Sequence, residues 1–271
     1  LDSTPASRHM TYEFSSAVDA GRMRANNEDA VIVDEASGLA ILADGMGGYN
    51  AGEVASHMVT TFVASELGRW LRDGREALPS VPDTRRAMEI CVDNANRAIF
   101  NSSNSNPNYA GMGTTLVVGV FRPSQLILGH VGDSRAYRLR AGKVQQLTRD
   151  HSLLQEQLDA GLITPEQALY ATHKNLVTRA VGVEDTVMLE VHTHEVHPGD
   201  LFLLCSDGLS DMLDDNEIGF VISGQPTLPE AASALIDAAN QAGGRDNISV
   251  ILARCDGVAP AGARSWWPFK R

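Results

Sequence analysis

Short apolar segments of strand length alternate with longer segments of helical period along this chain. The run LAILA at 39–43 is continuously apolar and ends at Asp44, which predicts a strand that is buried on both faces. The dipeptide Ala141-Gly142 lies between two strand-like segments and predicts a hairpin turn. The segments predicted as strands are 12–18, 30–34, 39–43, 114–121, 125–131, 136–140, 143–147, 187–196, 200–206 and 248–253.

Apolar residues at spacings of three and four predict the helices. A long helix is expected over 53–71, and a second one over 83–100 with Asp83 as its N-cap. The polar segment 101–108 (NSSNSNPN) is typical of a flexible loop. Two more helices are expected, over 216–222 and 229–241.

The order of these elements predicts the fold class. Strands and helices come in mixed order with hairpins, so an α+β fold of antiparallel sheets covered by helices is favoured over a repeating βαβ chain. Residues 149–178 contain short helical pieces without a strong apolar stripe, which predicts a mobile flap. We expect one domain over 11–256.

Both ends of the chain are expected to lie outside this domain. Residues 1–10 (LDSTPASRHM) lack an apolar signal region and resemble a vector-derived segment. Residues 257–271 are expected to form a flexible tail. Its last residues, SWWPFKR, combine aromatic and basic side chains, so docking to a partner or to a membrane surface is an alternative.

Composition and charge exclude several classes of protein. The chain of 271 residues has 22 Lys and Arg against 34 Asp and Glu, and this net charge of −12 repels nucleic acid. The sequence contains no run of 18 or more apolar residues, so no transmembrane helix is predicted. Only three cysteines occur, too few and too scattered for a disulfide framework, which favours a cytoplasmic location.

Candidate chemistry lies where apolar strands end. Asp44, Asp133, Asp207 and Asp246 each stand at such an end and are followed by a turn-forming residue. One such pair is a common turn, but four of them suggest carboxylates held close together. Crowded carboxylates repel one another, and the hard cations Mg²⁺ and Mn²⁺ remove that repulsion. Two such cations can activate a water molecule and bind a phosphoryl group, so the pattern favours phosphate chemistry.

A set of ordered motifs resembles the PPM family, the protein phosphatase 2C-like Ser/Thr phosphatases, in its bacterial stand-alone form. The resemblance covers about 11–254 and implies a four-layer α-β-β-α sandwich. The motifs are RANNEDA from 24, LADGMGGYNAGEVAS from 42, GMGTTL from 111, GHVGDSRAYRLR from 129, LTRDHS from 147, LVTRAVG from 176, LCSDGLSD from 204 and GGRDNISVIL from 243.

The resemblance also implies a set of metal ligands for two Mn²⁺ or Mg²⁺ ions. Asp44 matches the carboxylate that bridges both ions, and Gly45 matches the residue whose carbonyl completes one coordination shell. Asp207 and Asp246 match ligands of the second ion. Asp133 matches a residue that binds a weaker third ion in bacterial members.

Other positions match the residues that act on the substrate. Glu28 and Asp29 match residues that hold metal-bound waters, and Arg24 matches the arginine that grips the phosphate with its guanidinium fork. Arg24, Asp44 and Asp207 are therefore the expected catalytic set, with water bridging the two ions as the nucleophile. The implied substrates are phosphoserine and phosphothreonine in proteins, in particular targets of a bacterial Ser/Thr kinase, and the enzyme is expected to be a monomer.

One departure concerns the proton for the leaving group. Eukaryotic relatives carry His just after the first Asp-Gly, whereas Met46 stands here and cannot donate a proton. A metal-bound water, His151 or His173 could supply it instead.

Alternative interpretations of three motifs are weaker. Cys91 and Arg97 have the C-x5-R spacing of cysteine-dependent phosphatases, but within a helical pattern that lacks glycine. The segment HTHEVH at 192–197 could be misread as a metal site, and a solvated strand face is the simpler interpretation. The glycines of GMGGYNAG lack the Lys of a nucleotide-binding loop.

Two rival functions remain for the whole chain. A catalytically inactive relative could bind phosphoproteins as a regulatory module, although the complete set of Arg24, Asp44, Asp207 and Asp246 argues against it. A phosphatase dedicated to one anti-sigma-antagonist partner would normally carry an extra sensor domain.

Overall fold

We analysed a computed structural model that describes residues 10–48, 50–73, 78–168 and 176–256. The predicted N-terminal segment up to residue 9, His173 and the tail from residue 257 lie outside these ranges. The strands are β1 (Thr11–Asp19), β2 (Asp29–Asp34), β3 (Leu39–Met46), β4 (Gly113–Thr114), β5 (Leu116–Arg122), β6 (Gln125–Val131), β7 (Arg135–Arg140), β8 (Lys143–Gln146), β9 (Glu190–Glu195), β10 (Leu201–Cys205) and β11 (Ile248–Asp256). The helices are α1 (Ala51–Asp73), α2 (Val81–Ser105), α3 (Leu153–Asp159), α4 (Pro165–Ala168), α5 (Asp207–Ser210), α6 (Asp215–Ser223) and α7 (Leu228–Gln241).

The described strands form two antiparallel sheets, one in the order β1-β11-β10-β7-β8 and the other in the order β2-β3-β5-β6-β9. Three apolar cores separate four layers. One core lies between the second sheet and helices α1 and α2, one lies between the two sheets, and one lies between the first sheet and helices α6 and α7. The predicted α-β-β-α sandwich is confirmed. Among the helices of the described residues, none is long and apolar enough to cross a membrane.

The central strands are buried on both faces, which explains their continuous apolar sequences. In β3, Leu39 and Ile41 pack toward the helices, while Ala40 and Leu42 pack between the sheets. Burial of a Leu or Ile side chain contributes about 1.5–3 kcal/mol, so each face stabilises the strand. A strand of this kind needs no polar alternation. It continues beyond its predicted end to Met46, so Asp44 lies within β3 and the strand fixes its position.

Strand ends from both sheets meet at one end of the sandwich. Asp29 begins β2 and is paired in register with Asp44 of β3. Asp207 follows β10, and Asp246 precedes β11, the neighbouring strand of the same sheet. Two chain segments that are remote in sequence therefore place carboxylates at a common edge.

Several local predictions need correction. Helix α2 has Ser80, not Asp83, as its N-cap, and the Ser80 side chain accepts a hydrogen bond from the Asp83 amide at 3.2 Å. The segment 101–108 is not a loop throughout, because α2 continues to Ser105. The helix ends two residues before Pro107, because the proline ring disfavours the helical conformation at the preceding Asn106.

Other local predictions are confirmed. The hairpin turn between β7 and β8 is formed by Ala141 and Gly142 with φ values of 49° and 76°, the left-handed pair that a tight hairpin requires. The segment 149–178 contains the short helices α3 and α4, while residues 169–175 lie outside the described ranges.

Helix α5 directly after β10 was missed because a single helical turn has no periodic signal.

Candidate metal centre

The residues predicted to act together line one open pocket of about 630 Å³ at the meeting point of the strand ends. Its wall combines side chains of both sheets with the loop that follows β1. The predicted site residues on this wall are Arg24, Glu28, Asp44, Gly45, Asp133, Asp207 and Asp246. Asp29 is buried, and its Oδ2 accepts a hydrogen bond from the Ser206 hydroxyl at 2.8 Å.

The backbone of Asp44 is held by two neighbouring threonines. Its amide donates to Thr115 Oγ1 at 3.0 Å, and its carbonyl accepts from the Thr115 amide and the Thr114 hydroxyl, both at 2.8 Å. The adjacent Gly45 must be glycine, since a Cβ there would lie 2.1 Å from the Gly52 carbonyl oxygen. These contacts fix the backbone and leave the Asp44 carboxylate directed to the pocket.

Asn247 ties three segments of the pocket together. Its side-chain oxygen accepts from the Glu28 amide at 2.7 Å, and its side-chain nitrogen donates to the carbonyls of Ala20 at 3.0 Å and Asn26 at 2.9 Å. Sequence reasoning assigned no role to Asn247. Its only signal was its place directly after Asp246, within one of the quoted motifs.

The carboxylates of the pocket strongly oppose one another's ionisation. Burial, followed by the charges of neighbouring aspartates, raises the pKa of Asp44 and Asp207 well above the ordinary value. Burial is also the main cause that raises the pKa of Asp133 and of Asp29 to about 6. Such a cluster is unfavourable unless positive charge is placed within it.

The donor set fits divalent cations of the hard class. Asp207 Oδ1 is buried and has no hydrogen-bond partner among the residues that the structure describes, which is costly for a carboxylate oxygen unless a cation binds it. Glu28, Asp44, Asp133, Asp207 and Asp246 all offer oxygen, and among the described residues no His or Cys lies on the pocket wall. Oxygen ligands of this kind suit Mg²⁺ or Mn²⁺ better than zinc.

Arg24 supplies positive charge at the rim. Its side chain is 57% exposed, and its Nη2 donates to Asp246 Oδ2 at 2.6 Å. This hydrogen bond is the main cause that raises the pKa of Arg24, so the guanidinium stays charged. The remaining guanidinium N–H groups are available to an anion that enters the pocket.

Among the residues that the structure describes, no histidine lines the pocket. His151 is not on the pocket wall, and both of its ring nitrogens make contacts, with the Gly132 amide and with Glu190 Oε2. His192 and His197 are exposed and lie beside Glu190 and Glu195 on the outside of the sheet. Met46 lies on the wall at the position discussed above.

The structure also argues against a cysteine nucleophile. Cys91 lies inside helix α2 and is buried in the core between α1, α2 and the sheet. Burial raises the pKa of its thiol to about 11, so the thiolate needed for attack does not form near neutral pH. The C-x5-R spacing in this chain therefore reflects helix packing.

Comparisons with known proteins agree with this geometry. A family model described as "Protein phosphatase 2C" matches residues 21–249. The chain is 38% identical over 241 residues to the serine/threonine phosphatase stp of Listeria monocytogenes, covering 88% of this chain and 94% of that protein.

Two solved structures share the fold over nearly their whole length. The serine/threonine phosphatase Stp1 from Staphylococcus aureus matches with a TM-score of 0.84 and 30% identity, covering 95% of this chain and 100% of that one. The catalytic domain of the serine threonine protein phosphatase PstP, in complex with two manganese ions, matches with a TM-score of 0.79 and 37% identity, covering 91% and 99%. The chain therefore belongs to the protein phosphatase 2C family.

Proposed function

We propose that this protein is a metal-dependent phosphoprotein phosphatase that hydrolyses phosphoserine and phosphothreonine. The observation that carries the proposal is the cluster of mutually repelling carboxylates around Asp44 and Asp207, with a partly exposed arginine at its rim. Family membership supports the same reaction class.

Asp44, the Gly45 carbonyl, Asp207 and Asp246 would hold two divalent cations, and Asp133 would hold a weaker third. Cations held there would supply a water molecule of lowered pKa and positive charge that offsets the charge of the phosphate. Mn²⁺ and Mg²⁺ both fit the oxygen donors, and the PstP structure with manganese favours Mn²⁺ as the first ion to test.

The protein's own side chains bind and orient the substrate. Arg24 binds phosphate oxygens through its guanidinium fork, which matches a tetrahedral anion better than an ammonium group does. To do so it exchanges its hydrogen bond with Asp246 for one with the phosphate, which also frees Asp246 Oδ2 for a cation. Glu28 and the buried Asp29 hold water molecules at the edge of the cluster. None of these roles requires a covalent phosphoenzyme.

The wider setting is inferred from relatives. Serine/threonine phosphatases such as stp of Listeria monocytogenes suggest that the substrates are proteins phosphorylated by a bacterial Ser/Thr kinase. We propose that the enzyme acts in the cytoplasm as a monomer, and that the flap (149–178) contributes to the choice of substrate.

Hydrolysis of p-nitrophenyl phosphate and of a phosphothreonine peptide, each with Mn²⁺ and with excess EDTA, tests the proposal. We expect turnover with Mn²⁺ and none with EDTA, restored when Mn²⁺ is added back. Activity that survives EDTA would contradict the metal mechanism. A folded protein that binds the phosphopeptide but never hydrolyses it would instead support a regulatory binding module.

A further inference from the structure

We propose that His151 is a positioning residue for the metal centre, because it holds the Gly132–Asp133 loop so that the Asp133 carboxylate lies in the pocket with Asp44. His151 does not line that pocket, and this positioning role is separate from its predicted role as a proton donor. The inference rests on the proposed function in one respect, that Asp133 serves cation binding.

Two hydrogen bonds connect His151 to the residue before Asp133. The His151 amide donates to the Gly132 carbonyl at 2.9 Å, and the Gly132 amide donates to His151 Nδ1 at 3.1 Å. Gly132 has a φ of 101°, and a Cβ there would lie 2.7 Å from Thr115 Cγ2, so this backbone conformation requires glycine. The loop thus depends on His151 for its own hydrogen bonds.

The hydrogen bonds define the protonation state of the ring. Because a backbone amide only donates, His151 Nδ1 must carry a lone pair, and the proton of the neutral ring is on Nε2. That Nε2 lies 3.1 Å from Glu190 Oε2. Burial lowers the pKa of His151, while hydrogen bonds from His192 and His151 outweigh the burial of Glu190 and lower its pKa to about 2. The Gly132 amide therefore holds the ring at Nδ1, while Nε2 lies within 3.1 Å of both Glu190 Oε2 and Arg179 Nη1.

His151 also lies at the base of the flap. Its carbonyl accepts from the Thr178 amide at 2.8 Å, and its ring stacks on His130 with centroids 4.6 Å apart. Leu176 and Val177, which directly precede Thr178 in the flap, line the metal pocket. The same side chain therefore fixes both the Asp133 loop and the flap base.

A metal ion bound by the histidines themselves is the competing interpretation. The ligand atoms of His130, His151 and Glu190 lie within 4.8 Å of one another, and their types would suit zinc. However, the Gly132 amide uses the lone pair of His151, whose other nitrogen carries a proton. Arg179 Nη1 also lies 3.1 Å from His151 Nε2 and brings a positive charge to the same place. A positioning role keeps the contacts with Gly132 and Glu190, whereas a metal would have to displace the Gly132 amide from Nδ1 or the proton from Nε2.

Two substitutions separate the two ends of the ring. His151→Asn keeps an oxygen near Nδ1 that can accept from the Gly132 amide, and it loses the contact with Glu190. His151→Gln places its amide near Nε2, so it keeps the contact with Glu190 and loses the acceptor for Gly132. The control is His57→Ala, since His57 is an exposed histidine on α1 outside the pocket wall.

Calorimetric titration with Mn²⁺ gives a readout that does not depend on activity. The binding step of interest is the one that Asp133→Ala weakens. We expect His151→Gln to weaken this step about tenfold, as is typical when a residue that orients a metal ligand is lost. We expect His151→Asn and His57→Ala to bind almost like the wild type. In the Asp133→Ala background, His151→Gln should add no further loss, because both changes act on one carboxylate.

Three results would overturn the inference: equal losses for His151→Asn and His151→Gln, additive losses with Asp133→Ala, or no effect of Asp133→Ala on Mn²⁺ binding. None of them contradicts the phosphatase itself, which fails only if Mn²⁺ and the carboxylates of Asp44 and Asp207 are dispensable. If His151→Gln does not fold, His151→Ala replaces it in the comparison with His151→Asn. This variant also removes the acceptor for the Gly132 amide, so a loss of about tenfold that disappears in the Asp133→Ala background is expected.

Discussion

The two ends of strand β10 each carry an aspartate with a buried carboxylate oxygen. Comparing them distinguishes a carboxylate that stabilises the fold from one that serves the metal site. Asp200, just before the strand, is 1% exposed and accepts hydrogen bonds from Arg140 through both oxygens, each at 2.6 Å. Asp207, just after the strand and about 20 Å away, has a buried Oδ1 for which the described part of the chain offers no hydrogen-bond partner.

The ionisation of these two groups differs in the same way. Burial alone would raise the pKa of Asp200, but the hydrogen bond from Arg140 outweighs it and lowers the pKa. Burial raises the pKa of Asp207, and the charges of Asp133 and Asp211 raise it further. One carboxylate is neutralised by the protein, whereas the other is left for a ligand to neutralise. Unpaired buried charge is tolerated where binding removes it.

The largest expected effect comes from neutralising each aspartate in turn. Asp207→Asn should lower kcat/KM with Mn²⁺ by about 10³-fold or more, because it removes charge from the cation-binding cluster. Asp200→Asn should leave kcat/KM within about twofold, since it lies at the opposite end of the strand. Steady-state assays of both variants on p-nitrophenyl phosphate would measure this, and similar losses in the two would show that the contrast has no functional meaning.

The free energy of unfolding should depend on Asp200 rather than on Asp207, the reverse of the effect on kcat/KM. Asp200→Asn should lower the free energy of unfolding by about 2 kcal/mol, because Arg140 loses a charged hydrogen-bond partner. Asp207→Asn should raise that of the metal-free protein, since it removes a source of repulsion. Urea unfolding in EDTA would compare the two.

The second expected effect concerns pH. The contributions of Asp133 and Asp200 to the free energy of unfolding should depend on pH with opposite signs. The pKa of Asp133 is raised from 3.8 to about 6, so the folded protein keeps a proton that the unfolded chain has lost. The stability of the metal-free protein should therefore fall as the pH rises from about 4 to about 6, by about 2 kcal/mol from this group. Asp200 has a lowered pKa, so its contribution is present above the ordinary value and is lost as the pH falls through the lowered one.

Asp133→Asn tests the sign. In EDTA, the variant should lose part of the fall in stability between these pH values, as measured by urea unfolding at pH 4.5 and 7. Saturating Mn²⁺ should reverse the trend for the wild type, because cations bind the ionised carboxylates of the folded state only. A metal-free wild type that becomes more stable over this range would refute the assignment of buried, repelling carboxylates.

The contrast also shows what sequence can and cannot predict. The strand-end positions of Asp44 and Asp207 follow from short apolar runs, so their convergence was predictable. Asp200, in the turn HPGD, is also an aspartate next to a glycine at one end of the same apolar run, and the sequence does not show that Arg140 pairs with it. Arg140 reaches Asp200 across 60 residues, and no local period encodes that contact.

Hydrogen bonds between residues that are remote in the sequence could not be predicted for the same reason. The amide of Asn247 bonds across more than 200 residues to the segment before Asp29, and His151 meets Gly132 across a hairpin. The N-cap of α2 was placed three residues late, because Ser80 and Asp83 are both good caps and form a hydrogen bond with each other. The periodicity of apolar residues predicts whether a segment is a helix or a strand, whereas the hydrogen-bond partners of a side chain depend on the tertiary fold.

The smallest expected effect compares the arginines of the two regions. Arg24 makes one hydrogen bond with Asp246 and its side chain is 57% exposed, whereas Arg140 makes two with Asp200. Arg24→Lys should raise KM for a phosphothreonine peptide about fivefold with little change in stability, because an ammonium group lacks the fork that grips phosphate. Arg140→Lys should leave KM unchanged and lower the free energy of unfolding by about 1 kcal/mol, since one of two charged hydrogen bonds is lost. Steady-state kinetics and urea unfolding on both variants measure the four quantities. If Arg24→Lys lowered stability while KM stayed constant, the Arg24–Asp246 pair would be a structural ion pair like the one between Arg140 and Asp200, and the phosphate would have to be bound by other groups.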